Sequence, residues 1–271
     1  MTTRDAVATM PSMTTRERSP LARVASLWRY PVKSMQGEDC DELHVNEHGV
    51  VGDRAFGVFD SVSKTVISAK REGRLLEAEA TLSSGELVVT LPVGQGMGRG
   101  AALDESLSRW LERPVRLVEA ATFGSATYEC PEDFEHDDSS LDEWEGPNGS
   151  FVDESPLHLL TSADLERLKG ERPELQWDVR RFRPNVLIDA SYESQGSLEP
   201  GERLQLGGVE VEIQKGCTRC VMTTRPQPGS LDRQLDILRH VAKEHESVVG
   251  VRAMVVTTGL VKLGDQVRVI N

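Results

Sequence analysis

Lys215-Gly216-Cys217-Thr218-Arg219-Cys220 sets two thiols three positions apart beside two cations. A neighbouring cation favours the thiolate, the form that ligates a metal or attacks an electrophile. Metal ligation is therefore open, alongside three other readings of the pair. A structural zinc site needs two more ligands at matching spacing. The chain has no second Cys-x-x-Cys, and the nearest histidines, His240 and His245, fall in or just after an expected helix. A thioredoxin-like dithiol normally opens a helix after a βαβ unit, whereas this pair follows a strand-like run and precedes Thr223, Thr224, Pro226 and Pro228. Inert core cysteines conflict with the adjacent Lys and Arg. The motif is expected on a loop at a strand end.

Four other segments gather cationic and small polar groups: Tyr30-Pro31-Val32-Lys33-Ser34, Gly52-Asp53-Arg54, Ser68-Ala69-Lys70-Arg71 and Arg181-Phe182-Arg183-Pro184-Asn185. Taken singly, each Arg reads as a solvated surface charge. Beside the cysteine motif they read as a site for an anionic phosphate- or pterin-bearing ligand, because Arg forks grip phosphate oxygens while Lys supplies a point charge. The rest of the chain is acidic, with 31 Lys and Arg against 44 Asp and Glu and a formal net charge of −13. That balance argues against a nucleic-acid or anionic-membrane partner and makes any anion site local.

The elements that must position these groups are mostly short strands. Ala22 to Trp28, Ala55 to Asp60, Thr65 to Ser68, Ala78 to Leu82 and Leu87 to Leu91 are brief runs bounded by turn residues, the pattern of an antiparallel β unit. Residues 101 to 112 place Leu103, Leu107, Trp110 and Leu111 at helical spacing before Pro114. Residues 129 to 154 are rich in Asp and Glu, lack periodicity and are expected as an acidic surface loop holding the boundary between two halves. Beyond it come a helix from Ser162 to Lys169, a helix from Leu231 to Lys243, and strands at Asn185 to Asp189, Val209 to Gln214, Arg252 to Thr258 and Gln266 to Ile270. The four cysteines form no disulfide framework, and no apolar run reaches the roughly 20 residues of a membrane span. Residues 1 to 20 read as a disordered leader. Asp5 and Glu17 weigh against a transit peptide and no secretory signal is present, so a cytoplasmic location is expected.

Tyr-Pro-Val-Lys-Ser after the first strand, Gly-Asp-Arg about twenty residues on, Arg-Phe-Arg-Pro-Asn before a strand, and Cys-x-Arg-Cys followed by Thr-Thr together resemble the MOSC family. The resemblance runs from about Leu21 to Asn271 and is strongest to members with an N-terminal β-barrel unit, the amidoxime-reducing group. It implies an α+β, β-rich fold: an N-terminal antiparallel β-barrel-like unit over 21–128, the acidic loop over 129–154, and a mixed β-barrel MOSC domain over 155–271. It further implies a molybdenum cofactor (Mo-molybdopterin). Cys220 would be both metal ligand and catalytic residue. Lys33, Ser34, Arg54, Ser155, Arg183, Asn185, Thr218 and Arg219 would hold the pterin and its phosphate.

The activity implied is an oxidoreductase that reduces N-hydroxylated or other N–O or S–O small molecules by two-electron chemistry at molybdenum. Alternatives are a sulfuration protein carrying a cysteine persulfide and a non-catalytic cofactor carrier. No Gly-x-Gly-x-x-Gly, haem-type Cys-x-x-Cys-His or iron–sulfur spacing occurs, so electrons are expected from a separate flavin or iron–sulfur reductase. Two positions depart from the family pattern. Glu154 precedes Ser155 where relatives can carry a small polar residue, so its carboxylate must turn away from a phosphate. Arg225-Pro226-Gln227-Pro228 replaces the usual Val-Asp-Pro, a change expected at the substrate mouth.

Overall fold

The computed structural model describes residues 22–136, 139–190 and 198–270; the leader expected over 1–20 lies outside them. The chain folds as the expected α+β, β-rich class, and its largest feature is a closed seven-stranded mixed barrel. Around it run Val186–Asp189, Leu157–Thr161, Val248–Thr257, Val209–Thr218, Arg203–Leu206, Gln266–Ile270 and Ala22–Arg29, and this last strand pairs back with Val186–Asp189. Only Leu157–Thr161 with Val186–Asp189 is a parallel pair. Alternation drives the rim strands: Arg203–Leu206 buries Leu204 and Leu206, while Arg203 and Gln205 face solvent. Leu157–Thr161 is buried at every position because one side faces the barrel interior and the other the helices that follow.

Two local signals anchor those helices. Ser162–Glu171 opens with a capping box, in which the Thr161 hydroxyl accepts from the Asp164 amide at 3.0 Å and the Asp164 carboxylate accepts from the Thr161 amide at 3.4 Å. Leu235–Glu244 turns Ile237, Leu238 and Val241 inward, and Ile237 and Val241 meet Leu165, Leu168 and Trp177.

The N-terminal unit has its own core. Two three-stranded antiparallel sheets, Val115–Glu119 with Phe56–Asp60 and Val66–Ile67, and Glu79–Ser83 with Glu86–Thr90 and Met97–Gly98, pack with the Ala101–Leu111 helix. Leu103, Leu107 and Leu111 are fully buried on the face that the spacing predicts, each stabilising by about 1.5–3 kcal/mol. The two halves interlock: Ala22–Arg29 closes the barrel of the second half, and Glu42–Asn46 pairs with Gly259–Lys262.

Two expectations need correction. The acidic 129–154 segment is not simply a loop, because Thr127–Pro131 and Leu141–Glu145 form an antiparallel hairpin. Tyr128 and Trp144, paired across it with ring centroids 5.4 Å apart, join the fully buried Phe151 in an aromatic cluster. Glu129 is buried yet paired with Arg71, so acidic composition did not mean exposure. The cysteine motif is also not wholly a loop. Val209–Thr218 carries Lys215, Gly216, Cys217 and Thr218 within the strand, and only Arg219 and Cys220 lie past its end. Bulges against Val248–Thr257 at Ile213/Lys215 and Gly216/Thr218 supply the irregularity that reads as a loop. At Gly216 a Cβ would overlap Val248 Cγ1, so the close strand approach beside the motif needs glycine.

Candidate functional site

The barrel rim, the N-terminal unit and the hairpin enclose a cavity of about 460 Å³. All nine residues singled out from the sequence line it: Lys33, Ser34, Arg54, Ser155, Arg183, Asn185, Thr218, Arg219 and Cys220. Three of them, Ser34 (φ 69°), Arg54 (φ 46°) and Arg183 (φ 55°), hold left-handed backbone that non-glycine residues seldom adopt. Such strain persists only where the surroundings enforce it, and Arg54 and Arg183 share one wall of the cavity.

That wall is built on Tyr30. The Arg54 and Arg183 guanidinium groups lie over its ring, at 4.3 and 4.2 Å from the centroid, and its hydroxyl donates to Pro184 O at 3.2 Å. Arg54 is neutralised by Asp53 and donates to Arg183 O at 3.3 Å. Arg183 Nη2 is buried without a hydrogen-bond partner. Burial, followed by repulsion from Arg54, lowers the Arg183 guanidinium to about 10, which leaves it charged at neutral pH.

Opposite charges meet on the hairpin side. Asp153 takes Lys33 Nζ at 2.6 Å and Lys70 Nζ at 3.3 Å on its two oxygens, and Lys33 also donates to Phe151 O at 2.8 Å. Both ammonium groups sit over aromatic rings, Lys33 over Tyr128 and Lys70 over Trp144. Burial brings Lys33 down to about 8, with Asp153 resisting the shift and Lys70 adding to it. Burial alone would raise Asp153, but the two lysines overcome it and hold the carboxyl well below the usual carboxylate range.

The cysteine end is arranged differently from what the motif suggests. Lys215 points outward to Glu154 at 3.1 Å. Glu154 also lies 3.0 Å from Arg252 Nε, so its carboxylate is engaged by two cations, as a phosphate neighbour would require. Arg219 donates to Phe182 O at 3.0 Å and Val249 O at 2.9 Å, and it contacts His158 Nε2. Burial, then the charges of Arg219 and Arg252, keep His158 well below the ordinary histidine range, so it is a neutral acceptor for Arg219. Asn185 is spent on strand alignment, accepting from the His158 amide at 3.2 Å and donating to Trp28 O at 3.3 Å. Gly250 (φ 71°) leaves room beside this group, since a Cβ there would stand 2.7 Å from Leu159 O and 2.9 Å from His158 Nε2. Arg181 is a core arginine, with its guanidinium donating to Gln176 O, Thr223 O, Arg225 O and Asp232 O.

Cys220 is part-exposed in this cavity, and its carbonyl accepts from the Thr223 hydroxyl at 2.9 Å. Cys217 is buried. A free thiol, convergent cations and the Arg183 Nη2 without a hydrogen-bond partner line one cavity, a set of groups able to take an anionic ligand next to a soft metal.

The MOSC N-terminal beta barrel domain family matches residues 21–125, and the MOSC domain family matches residues 147–268. The chain belongs to the MOSC family. It is 24% identical over 249 residues to mitochondrial amidoxime reducing component 2 of Rattus norvegicus, covering 81% of this chain and 71% of that protein. To mitochondrial amidoxime-reducing component 1 of Homo sapiens it is 25% identical over 265 residues, covering 84% and 75%. Among solved structures, the YUAD protein from Bacillus subtilis aligns over 92% of this chain and 94% of that one at 10% identity, with a TM-score of 0.42.

MOSC domains are associated with the molybdenum cofactor, and the residues present fit such a group. The unpartnered Arg183 Nη2 and the buried, unpartnered Ser68 hydroxyl are donors without acceptors, which a phosphate would supply. Sequence reasoning missed Asp153, Trp144 and Cys130, all cavity-lining, because they lie in or beside the hairpin read as an acidic loop. It also missed His158. The one available signal was the aromatic spacing of Tyr128, Trp144 and Phe151 within an otherwise charged stretch.

Proposed function

We propose that this MOSC protein binds the molybdenum cofactor in the 460 Å³ cavity and reduces small N-hydroxylated, or other N–O or S–O, molecules with electrons from a separate redox protein. The observation that carries the reading is the convergence of the Cys220 thiol with Lys33, Arg54 and Arg183, whose Nη2 has no hydrogen-bond partner, in one cavity. The amidoxime-reducing names of the relatives support the substrate class.

Cys220 would ligate the metal, and Lys33, Arg54, Arg183, Ser34, Ser155 and Thr218 would hold the pterin and its phosphate. Arg219 and Asn185 would act one step back, fixing the wall through the backbone contacts they already make. The bound cofactor would supply two-electron chemistry: N–O cleavage consumes two electrons and two protons and releases water. The chain's own residues bind and orient. Asp153 splits its charge between Lys33 and Lys70, so an arriving phosphate competes with a carboxylate already in place, a preorganised exchange rather than a new ordering of side chains. Stacking on Tyr128, Trp144 and Tyr30 keeps the cations directed at the cavity.

Molybdenum analysis of protein made in a cofactor-competent host, with benzamidoxime reduction from an artificial donor, tests the reading. Metal with turnover supports it. Metal without turnover would leave a cofactor carrier, and persulfide on a cysteine without metal would favour a sulfuration protein.

A pH dependence follows from Lys33. It is charged below about 8 and neutral above, so its attraction for a phosphate is complete at pH 7 and is lost as pH rises through about 8. Cofactor retention during dialysis should weaken between pH 7 and 9. Lys33→Met should flatten that profile at the weaker level, whereas an unchanged profile would remove Lys33 from the binding set.

A further inference from the structure

A second cluster with metal-binding chemistry lies away from the cavity, where the Ser162–Glu171 and Leu235–Glu244 helices end together. Glu171 Oε2 stands 2.8 Å from His240 Nε2 and 2.7 Å from His245 Nε2, and the three ligand atoms all lie within 4.8 Å of one another. Both imidazoles are largely enclosed, with side chains 9% and 13% exposed. His240 packs 5.8 Å from the Trp177 ring and 5.5 Å from His245, and the two helices share the core of Leu165, Leu168, Ile237 and Val241. Two imidazole nitrogens are therefore aimed at one carboxylate oxygen by rigid elements, not by mobile surface side chains.

We propose that Glu171, His240 and His245 bind a zinc-type divalent cation. Zinc takes imidazole nitrogen and carboxylate oxygen at about 2.0–2.2 Å, so tetrahedral ligand atoms stand about 3.4 Å apart. Reaching that geometry requires opening each Glu171 contact by about 0.6 Å and setting the two imidazole nitrogens, which lie within 4.8 Å of each other, at the same spacing. The fourth position goes to water. The ion would pin the ends of both helices to one another.

Arg167 opposes this. Its Nη1 contacts His245 Nδ1, and its Nη2 lies 3.2 Å from Asp164 Oδ1. While Arg167 donates to Nδ1, the His245 proton stays on Nε2 and points at Glu171. Coordination through Nε2 moves that proton to Nδ1 and releases Arg167. Metal affinity should therefore be limited by this arginine.

Zn²⁺ titration of chelator-treated full-length protein, followed by calorimetry and thermal unfolding, is the test. One equivalent should bind and raise Tm by several degrees. Glu171→Gln, which keeps the side-chain size, and His240→Ala should each weaken binding at least tenfold, while Arg167→Ala should tighten it. Co²⁺ in place of Zn²⁺ should give ligand-field bands without thiolate charge transfer. Affinity unchanged from the unsubstituted protein in Glu171→Gln and His240→Ala, or a thiolate band that moves the site to the cysteines, would overturn the proposal.

Discussion

Cys220→Ser should lower benzamidoxime turnover on the order of 10²-fold or more, the loss expected when a metal ligand rather than an outer partner is removed. Molybdenum content should fall with it. Cys217→Ala should keep turnover within about threefold and cost about 1 kcal/mol of stability, because Cys217 is a buried strand residue whose removal leaves only a small cavity. The hairpin supplies a third comparison. Cys130 lines the same cavity, and burial, then the neighbouring Cys220, raises its thiol. A thiol pushed in that direction is a poorer ligand at neutral pH, so Cys130→Ser should retain metal. Metal retained in Cys220→Ser but lost in Cys130→Ser would transfer the ligand role to the hairpin.

Arg183→Gly should separate binding from folding. Lowering the guanidinium from its ordinary 12.5 to about 10 corresponds to about 3 kcal/mol against the charged form in its buried setting. One Nη has no partner and the backbone is left-handed, so the cofactor-free protein carries a cost that glycine removes twice over. The unfolding midpoint should hold or rise, and molybdenum occupancy should drop about tenfold or more. A fall in both would make Arg183 a structural residue like Arg181, whose guanidinium donates to four backbone carbonyls and to the Gln176 side-chain oxygen.

Arg181 and Arg183 show how far residue type carries and where it stops. Both stand in Arg-Phe-Arg-Pro-Asn and both are buried at the cavity, yet Arg181 is held by hydrogen bonds to surrounding oxygens while Arg183 Nη2 has no hydrogen-bond partner. Likewise Lys215 and Arg219 flank the cysteines in sequence. The strand directs Lys215 outward to Glu154, and the backbone carbonyls of Phe182 and Val249 take up Arg219. Lys70, from another segment altogether, lines the same cavity as Cys220.

The sequence by itself determined the strand-rich class, the amphipathic helix with Leu103, Leu107 and Leu111 inward, and the motifs whose resemblance to the MOSC family implied the nine residues that share a cavity. Those properties depend on local periodicity and on motif chemistry, which neighbouring residues carry. Only the tertiary structure decided that Ala22–Arg29 closes a barrel with Val186–Asp189, that an acidic stretch folds as a hairpin over the cavity, and that Asp153 sits between Lys33 and Lys70. Each of these joins partners far apart in the chain, or hides a charge by pairing it. Burial of a charge is decided by the group across from it, which no local pattern records.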